Sequence, residues 1–215
     1  MSSIIESFKK INSNIISLKP KKKVTIVAVS KTFTLEHISP LIDFGHNHFG
    51  ENKVQEATSK WENIKKEKKN IKLHMVGKLQ TNKVKFAIKI FDYIHSVDSE
   101  KLARKIADEQ NKMNKKIKIF LQVNIGDENQ KSGINKNEVG KLVSFSKEIG
   151  LNVIGLMCIP PVNIDPEDYF VEMNKLNKDL GLEELSMGMS SDYSIAIKYN
   201  ATFLRIGSAI FGERN

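Results

Sequence analysis

Eight short, almost continuously apolar runs alternate with longer segments of helical spacing, and this alternation constrains the fold more than any other feature of the chain. The apolar runs fall at 24–30 (VTIVAVS), 46–49 (HNHF), 72–76 (KLHMV), 91–97 (FDYIHSV), 117–124 (IKIFLQVN), 152–158 (NVIGLMC), 184–188 (ELSMG) and 202–206 (TFLRI). Helical spacing is present near 34–44, 52–66, 80–90, 99–114, 136–149, 166–181 and 191–200. One more amphipathic segment, 4–18, sets Ile4, Ile5, Phe8, Ile11, Ile15 and Leu18 on a single stripe ahead of the first run. Strands without polar alternation are buried on both faces, which calls for a parallel sheet covered by helices. Eight such units predict an α/β fold, a single (β/α)8 TIM barrel over 1–215 with an extra N-terminal helix. A doubly wound open sheet is the alternative.

Local signals agree. Gly45, Gly150 and Gly181 stand where helices should stop. Asp98 or Ser99 and the Asp165-Pro166 pair stand where helices should start. Pro40 predicts that its helix begins late or is kinked. No linker, repeat or low-complexity tract divides the chain.

Several function classes recede on composition. No apolar run is long enough to cross a bilayer, and the N-terminus lacks the pattern of a signal peptide. A single cysteine, Cys158, rules out an internal disulfide framework and suits a reducing compartment, so the expected location is cytoplasmic. The net charge of +9 comes largely from lysine runs such as KPKKK (19–23), KKEKK (65–69) and KKIK (115–118). These fall at helix ends and loops without interleaved aromatics, so they read as solvated surface and not as a nucleic-acid footprint.

Chemistry in a barrel collects at the C-terminal ends of the strands. Those ends carry Lys31, then Gly50-Glu51-Asn52, Gly77, Asp98, Asn124, Ile159-Pro160-Pro161, Gly188 and Arg205-Gly207. The last two strands run into SMGMSSD (186–192) and RIGSAIFG (205–212), each combining Gly with Ser before a helical turn. Such loops accept phosphate oxygens, and their place after strands seven and eight is where barrels bind phosphate. A lysine at the end of strand one, facing a dehydrated mouth, would lose charge and gain nucleophilicity toward a carbonyl. Alone it would simply reach water. Paired with the loops, it points to a phosphorylated aldehyde, with pyridoxal 5'-phosphate (PLP) the obvious candidate.

The segments VAVSKTF, GHNHFGENKVQE, LHMVGKLQTNKVK, QVNIGDENQKSGI, GLMCIPP, LSMGMSSDYSIAI and LRIGSAIFGER together resemble the YggS/PROSC family of PLP homeostasis proteins, over nearly the whole chain and in order. That family looks like the N-terminal barrel of alanine racemase, a fold-type III PLP enzyme, without its second domain. The resemblance implies that Lys31 is the lysine bonded to PLP as an internal aldimine. It also implies that Ser186, Ser190, Gly207 and Ser208 form the phosphate cradle, that Asn52 lies beside the cofactor and that Arg205 faces the pyridine nitrogen.

Arginine stays protonated and keeps that nitrogen unprotonated, which weakens the ring as an electron sink. Racemisation also needs a second acid/base, a tyrosine from the missing domain in alanine racemase. The four tyrosines here, at 93, 169, 193 and 199, fall at no strand end. The expected function is therefore a PLP carrier in vitamin B6 homeostasis with little or no amino-acid turnover, a monomer serving PLP-dependent apoenzymes. An amino-acid racemase and a class I aldolase are the enzymatic alternatives. His46 and His48 form an H-x-H pair in strand two, read as structural and not as metal ligands. Cys158 reads as a small buried residue, Asp98 as a cap, Asn124 as a cap or pocket group, and Lys131 as a solvated loop residue or a transient PLP site.

Overall fold

The computed structural model describes residues 3–128 and 132–213. In chain order the elements are α1 (Ser3–Ser17), β1 (Thr25–Val29), α2 (Leu35–Asp43), β2 (His48–Glu51), α3 (Val54–Glu67), β3 (Lys72–Met75), α4 (Val84–Ile90, entered through a 3-10 turn), β4 (Tyr93–Val97), α5 (Glu100–Lys112), β5 (Lys118–Asn124), β6 (Ile134–Asn135), α6 (Val139–Glu148), β7 (Asn152–Met157), α7 (Glu167–Asp179), β8 (Glu184–Ser186), α8 (Tyr193–Lys198), β9 (Phe203–Ile206) and α9 (Ser208–Phe211). All eight expected strands form. The two-residue β6 is an addition, paired to the end of β5.

Parallel pairing runs β1-β2-β3-β4-β5-β7-β8-β9 and returns to β1. The β4–β5 and β1–β9 ladders close the ring, so the open-sheet alternative is excluded. At the closing seam Val27 pairs with Arg205 and Ala28 with Ile206. This is a (β/α)8 barrel.

Residues alternate between its two faces although both are apolar. Along β1, Ile26 and Ala28 join the large core between strands and helices, whereas Val27 faces inward with Tyr93, Phe120, Met157 and Phe203. Barrel interiors are usually filled by branched aliphatic layers. This one is aromatic, and buried histidines stand among the rings.

Helix ends follow the sequence with two corrections. Pro40 neither delays α2 nor starts it: the helix begins at Leu35 behind Thr34, whose hydroxyl accepts from the His37 N–H. Proline leaves the Glu36 carbonyl without its helical donor, and the Ser39 hydroxyl supplies one at 3.0 Å. The cap of α5 is Ser99, which accepts from the Leu102 N–H, and not Asp98. Gly45, Gly150 and Gly181 close their helices at φ of +100°, +80° and +63°. The N-terminal helix α1 buries Ile4, Ile11 and Ile15 and packs against α2 and α9. No helix among the described residues is long and apolar enough to cross a membrane.

Candidate functional site

A cavity of about 320 Å³ opens at the C-terminal ends of the strands. Lys31, Asn52, Ser190, Arg205, Gly207 and Ser208 line it, six of the seven residues singled out from sequence. Val29, Val76, Ile159 and Met189 add apolar wall, and Ser191 a further hydroxyl. No carboxylate, histidine or tyrosine is among the described residues lining it. The seventh residue, Ser186, is fully buried and does not line the cavity. Its hydroxyl is engaged by Arg205 and His95, which removes it from the cavity wall and makes it a support for Arg205.

Lys31 sits on a tight turn in which the Phe33 N–H donates to the Ser30 carbonyl. The next residue, Thr32, is held at φ +69°, an outlying conformation for a β-branched side chain. Three neighbours hold the strained turn. Ser30 Oγ donates to Glu51 Oε1 at 2.8 Å, Lys60 Nζ donates to the Ser30 carbonyl at 2.9 Å, and the Thr32 N–H donates to Glu56 Oε1 at 2.6 Å. Strain at a functional residue persists only where its surroundings enforce it. Here they flank the lysine on both sides.

Glu51 is the hub of that support. Its Oε1 accepts from Ser30, from Lys60 at 3.0 Å and from Trp61 Nε1 at 2.9 Å, while Oε2 finds no partner. Burial pushes its carboxyl above the usual range, against the pull of Trp61, Lys60 and Ser30. Removing one partner of a buried pair strands the other charge. Glu51→Leu is therefore expected to lose about 3–5 kcal/mol of stability, read as a fall in the urea midpoint. A change under about 1 kcal/mol, the worth of a surface pair, would show that Glu51 is not the hub.

The opposite wall is made by the loops after β8 and β9. Gly188, at φ +90°, accepts the Arg205 N–H on its carbonyl at 2.9 Å, and Ser190 Oγ accepts from the Ala209 N–H at 3.2 Å. A Cβ at Gly188 would lie 2.7 Å from the Ala196 Cβ, so glycine lets the first loop fold against α8. Gly77 does the same for Asn52, whose carbonyl oxygen would lie 2.5 Å from an added Cβ. In the floor, Arg205 donates through Nη1 to Ser186 Oγ and through Nη2 to the Cys158 carbonyl, both at 2.7 Å. Burial lowers its proton affinity from the ordinary arginine value, and Cys158 and Asp192 oppose the change. A guanidinium starts high enough to remain charged.

Other sequence-selected residues lie elsewhere. Cys158 is buried as expected, and burial pushes its thiol up to about 12. Asn124 closes its own loop, donating to the Glu128 carbonyl and accepting from the Glu128 N–H. The H-x-H pair divides: His46 precedes β2, contacts Phe8 and Phe49 outside the barrel and donates to the His48 carbonyl, whereas His48 bonds to His74 within. Tyr93 stacks on His74 inside the barrel, and Tyr169, Tyr193 and Tyr199 pack against the outer core. Lys131 lies outside the described residues. The supports of Lys31, namely Glu51, Glu56, Lys60 and Trp61, escaped sequence reading. The strand-end position of Glu51 was the one available signal.

A lysine ending the first strand of a lone barrel, opposite two Gly/Ser loops, defines the class of barrel found at the start of alanine racemase. The family model described as "Alanine racemase, N-terminal domain" matches residues 7–215. A pyridoxal phosphate homeostasis protein of Aquifex aeolicus is 37% identical over 199 residues, covering 88% of this chain and 86% of that protein. Its Escherichia coli K12 counterpart is 33% identical over 208 residues, covering 90% and 87%. The chain belongs to this family of pyridoxal phosphate homeostasis proteins. PipY of Synechococcus elongatus, solved without PLP, superposes with a TM-score of 0.90 at 31% identity, over 97% of this chain and all (100%) of that one. A PLP-bound PipY structure gives 0.87 at 30%, again over 97% and 100%. Alanine racemase of Clostridium difficile shares the fold, at a TM-score of 0.75 and 13% identity, and this chain covers 57% of it.

Proposed function

We propose that the chain is a single-domain PLP carrier that holds the cofactor on Lys31 and serves intracellular vitamin B6 homeostasis. One observation carries the reading: the Lys31 amine, the Arg205 guanidinium and the Ser190, Gly207 and Ser208 loops share one cavity. Its volume of about 320 Å³ falls in the small-ligand range. The donor set fits PLP. Cations and hydroxyls with no facing carboxylate suit a phosphate, and Val29, Val76, Ile159 and Met189 suit the faces of a planar ring.

PLP, when bound, supplies an aldehyde that an amine can capture and a ring that can delocalise charge. Lys31 would supply the amine that captures that aldehyde, with water as the leaving group. Ser190, Ser191, Ser208 and the Gly207 backbone hold the phosphate, with Asn52 beside the ring. Arg205 uses two donors within the protein and keeps others for the ring nitrogen, which accepts only when unprotonated. Titration with PLP should produce an absorbance band in the near-ultraviolet or visible range. Borohydride reduction should then place the adduct on the peptide containing Lys31. An adduct confined to surface lysines would overturn the assignment.

We also propose that turnover is negligible, because the described residues of the cavity wall offer no carboxylate, histidine or tyrosine as a second acid/base opposite Lys31. Conversion of L- to D-alanine should run no faster in the wild type than in Lys31→Ala. Robust turnover that vanished in the variant would make the protein a racemase. A monomeric cytoplasmic carrier that passes PLP to apoenzymes completes the reading.

A further inference from the structure

A polar line crosses the barrel interior from the cavity floor toward the opposite mouth. Arg205 Nη1 lies 2.7 Å from Ser186 Oγ, and His95 Nδ1 lies 2.8 Å from the same oxygen. His95 Nε2 is 2.9 Å from His74 Nδ1, and His74 Nε2 is 2.9 Å from His48 Nδ1. The five residues come from β9, β8, β4, β3 and β2, five of the eight barrel strands. Aromatic neighbours fix two of the rings: His95 stacks on Phe120 at 4.3 Å and His74 on Tyr93 at 4.1 Å. Ser186, His95 and His74 are fully buried. His48 opens partly to solvent at the start of its strand.

The direction of this line follows from its first member. A guanidinium donates and cannot accept, so one acceptor site of Ser186 Oγ is taken by Arg205. Among the described residues, the one acceptor that the Ser186 hydroxyl proton meets is His95 Nδ1. An imidazole that accepts at Nδ1 carries its proton at Nε2 and donates to His74 Nδ1, and the same step repeats to His48. The reverse polarity would make His95 a donor to Ser186 and leave a buried hydroxyl proton with no acceptor. One serine proton thus decides three tautomers.

We propose that Arg205 sets a one-way hydrogen-bond chain, Arg205→Ser186→His95→His74→His48, with all three imidazoles as Nε2–H tautomers, and that Ser186 and His95 are positioning residues for the guanidinium in the cavity floor. The tautomer assignment stands on the protein alone. The positioning role rests on the PLP reading above.

Long-range 15N–1H spectra of the ligand-free protein test the first part. His74 and His95 should show a protonated Nε2 and a bare Nδ1 from pH 7.5 down to pH 6. An Nδ1–H tautomer or a charged ring at either position overturns the chain. PLP titration of His95→Leu and His95→Asn tests the second part. Leucine removes the acceptor that orders Ser186 and should weaken PLP binding about tenfold, the effect of one buried hydrogen bond. Asparagine restores an acceptor near the Nδ1 position and should recover most of that loss. Equal affinity in the wild type and His95→Leu, or no recovery in His95→Asn, overturns the positioning role. If His95→Leu fails to fold, Ser186→Ala replaces it with the same expected loss, and unchanged affinity there overturns the role. A wild type that takes up no PLP would refute the cofactor reading while leaving the tautomers to be judged by the spectra.

Discussion

Lys31→Ala should fold normally and retain no PLP through gel filtration, whereas the wild type keeps the cofactor and its absorbance band. The change removes the one lysine amine among the described residues of the cavity lining and leaves the turn intact. That turn is built from the Ser30 hydroxyl and carbonyl and the Thr32 N–H, all tied to Glu51, Lys60 and Glu56. On the proposed reading, what remains is phosphate and ring contact from Ser190, Gly207, Ser208 and Arg205, which is reversible and washes out. Absorbance and borohydride labelling of the two proteins, prepared side by side, make the comparison. A variant that kept a stable absorbance band would place the covalent bond on another lysine.

The second large effect is acid sensitivity. Burial lowers the proton affinity of four histidines. His46 and His48 fall to about 4, and His74 and His95 fall well below the ordinary 6.5. Neighbouring charge adds to this: Arg205 acts on His95, His95, His48 and His46 and then Lys65 act on His74, and Lys72, Lys118 and Lys23 outweigh Asp92 at His48. Such groups take up protons more readily when the chain is unfolded. Their contribution to stability is present above pH 6.5 and is lost as the pH falls toward 4. Each can cost up to about 1.4 kcal/mol per pH unit in that window. With the partly exposed His48 discounted, the group reaches roughly 4 kcal/mol per pH unit, against a typical total of about 5–15. Glu51, with its raised pKa, opposes the trend as a single group. The urea midpoint should drop steeply between pH 6.5 and 5, with cooperative unfolding before pH 4. A midpoint unchanged from pH 7.5 to 5 would mean that the imidazoles are not held neutral.

The architecture was legible because it is written in local period. VTIVAVS and NVIGLMC can be satisfied only by two apolar faces, and eight such runs close a ring. The candidate site was legible because barrels gather strand ends, so Lys31, Asn52, Arg205, Gly207 and Ser208 could be read from order alone. The family resemblance implied that Ser186 belongs to the phosphate cradle, but it does not line the cavity. It ends β8 and looks like its neighbours in sequence, but strand alternation turns its side chain inward beneath Arg205. His74 and His95 hid for a related reason. A histidine inside KLHMV or YIHSV gives no sign of facing another histidine on the next strand, because that meeting depends on register. Pro40 predicted a late start or a kink for α2; the late start does not occur, since the helix begins at Leu35 and the Ser39 hydroxyl answers the carbonyl that Pro40 leaves bare.

The β1–β9 seam has a consequence for timing. Lys31 follows the first strand made, Arg205 lies in the last with Gly207 and Ser208 just after it, and they become neighbours only when Val27 pairs with Arg205. A nascent chain on the ribosome exposes Lys31 long before the loops proposed to hold the phosphate exist. On the proposed reading, an aldehyde reaching Lys31 before closure meets no phosphate loops to hold it and leaves again by hydrolysis. Cofactor retention thus reports that the barrel is complete, and newly made protein should acquire PLP only after release.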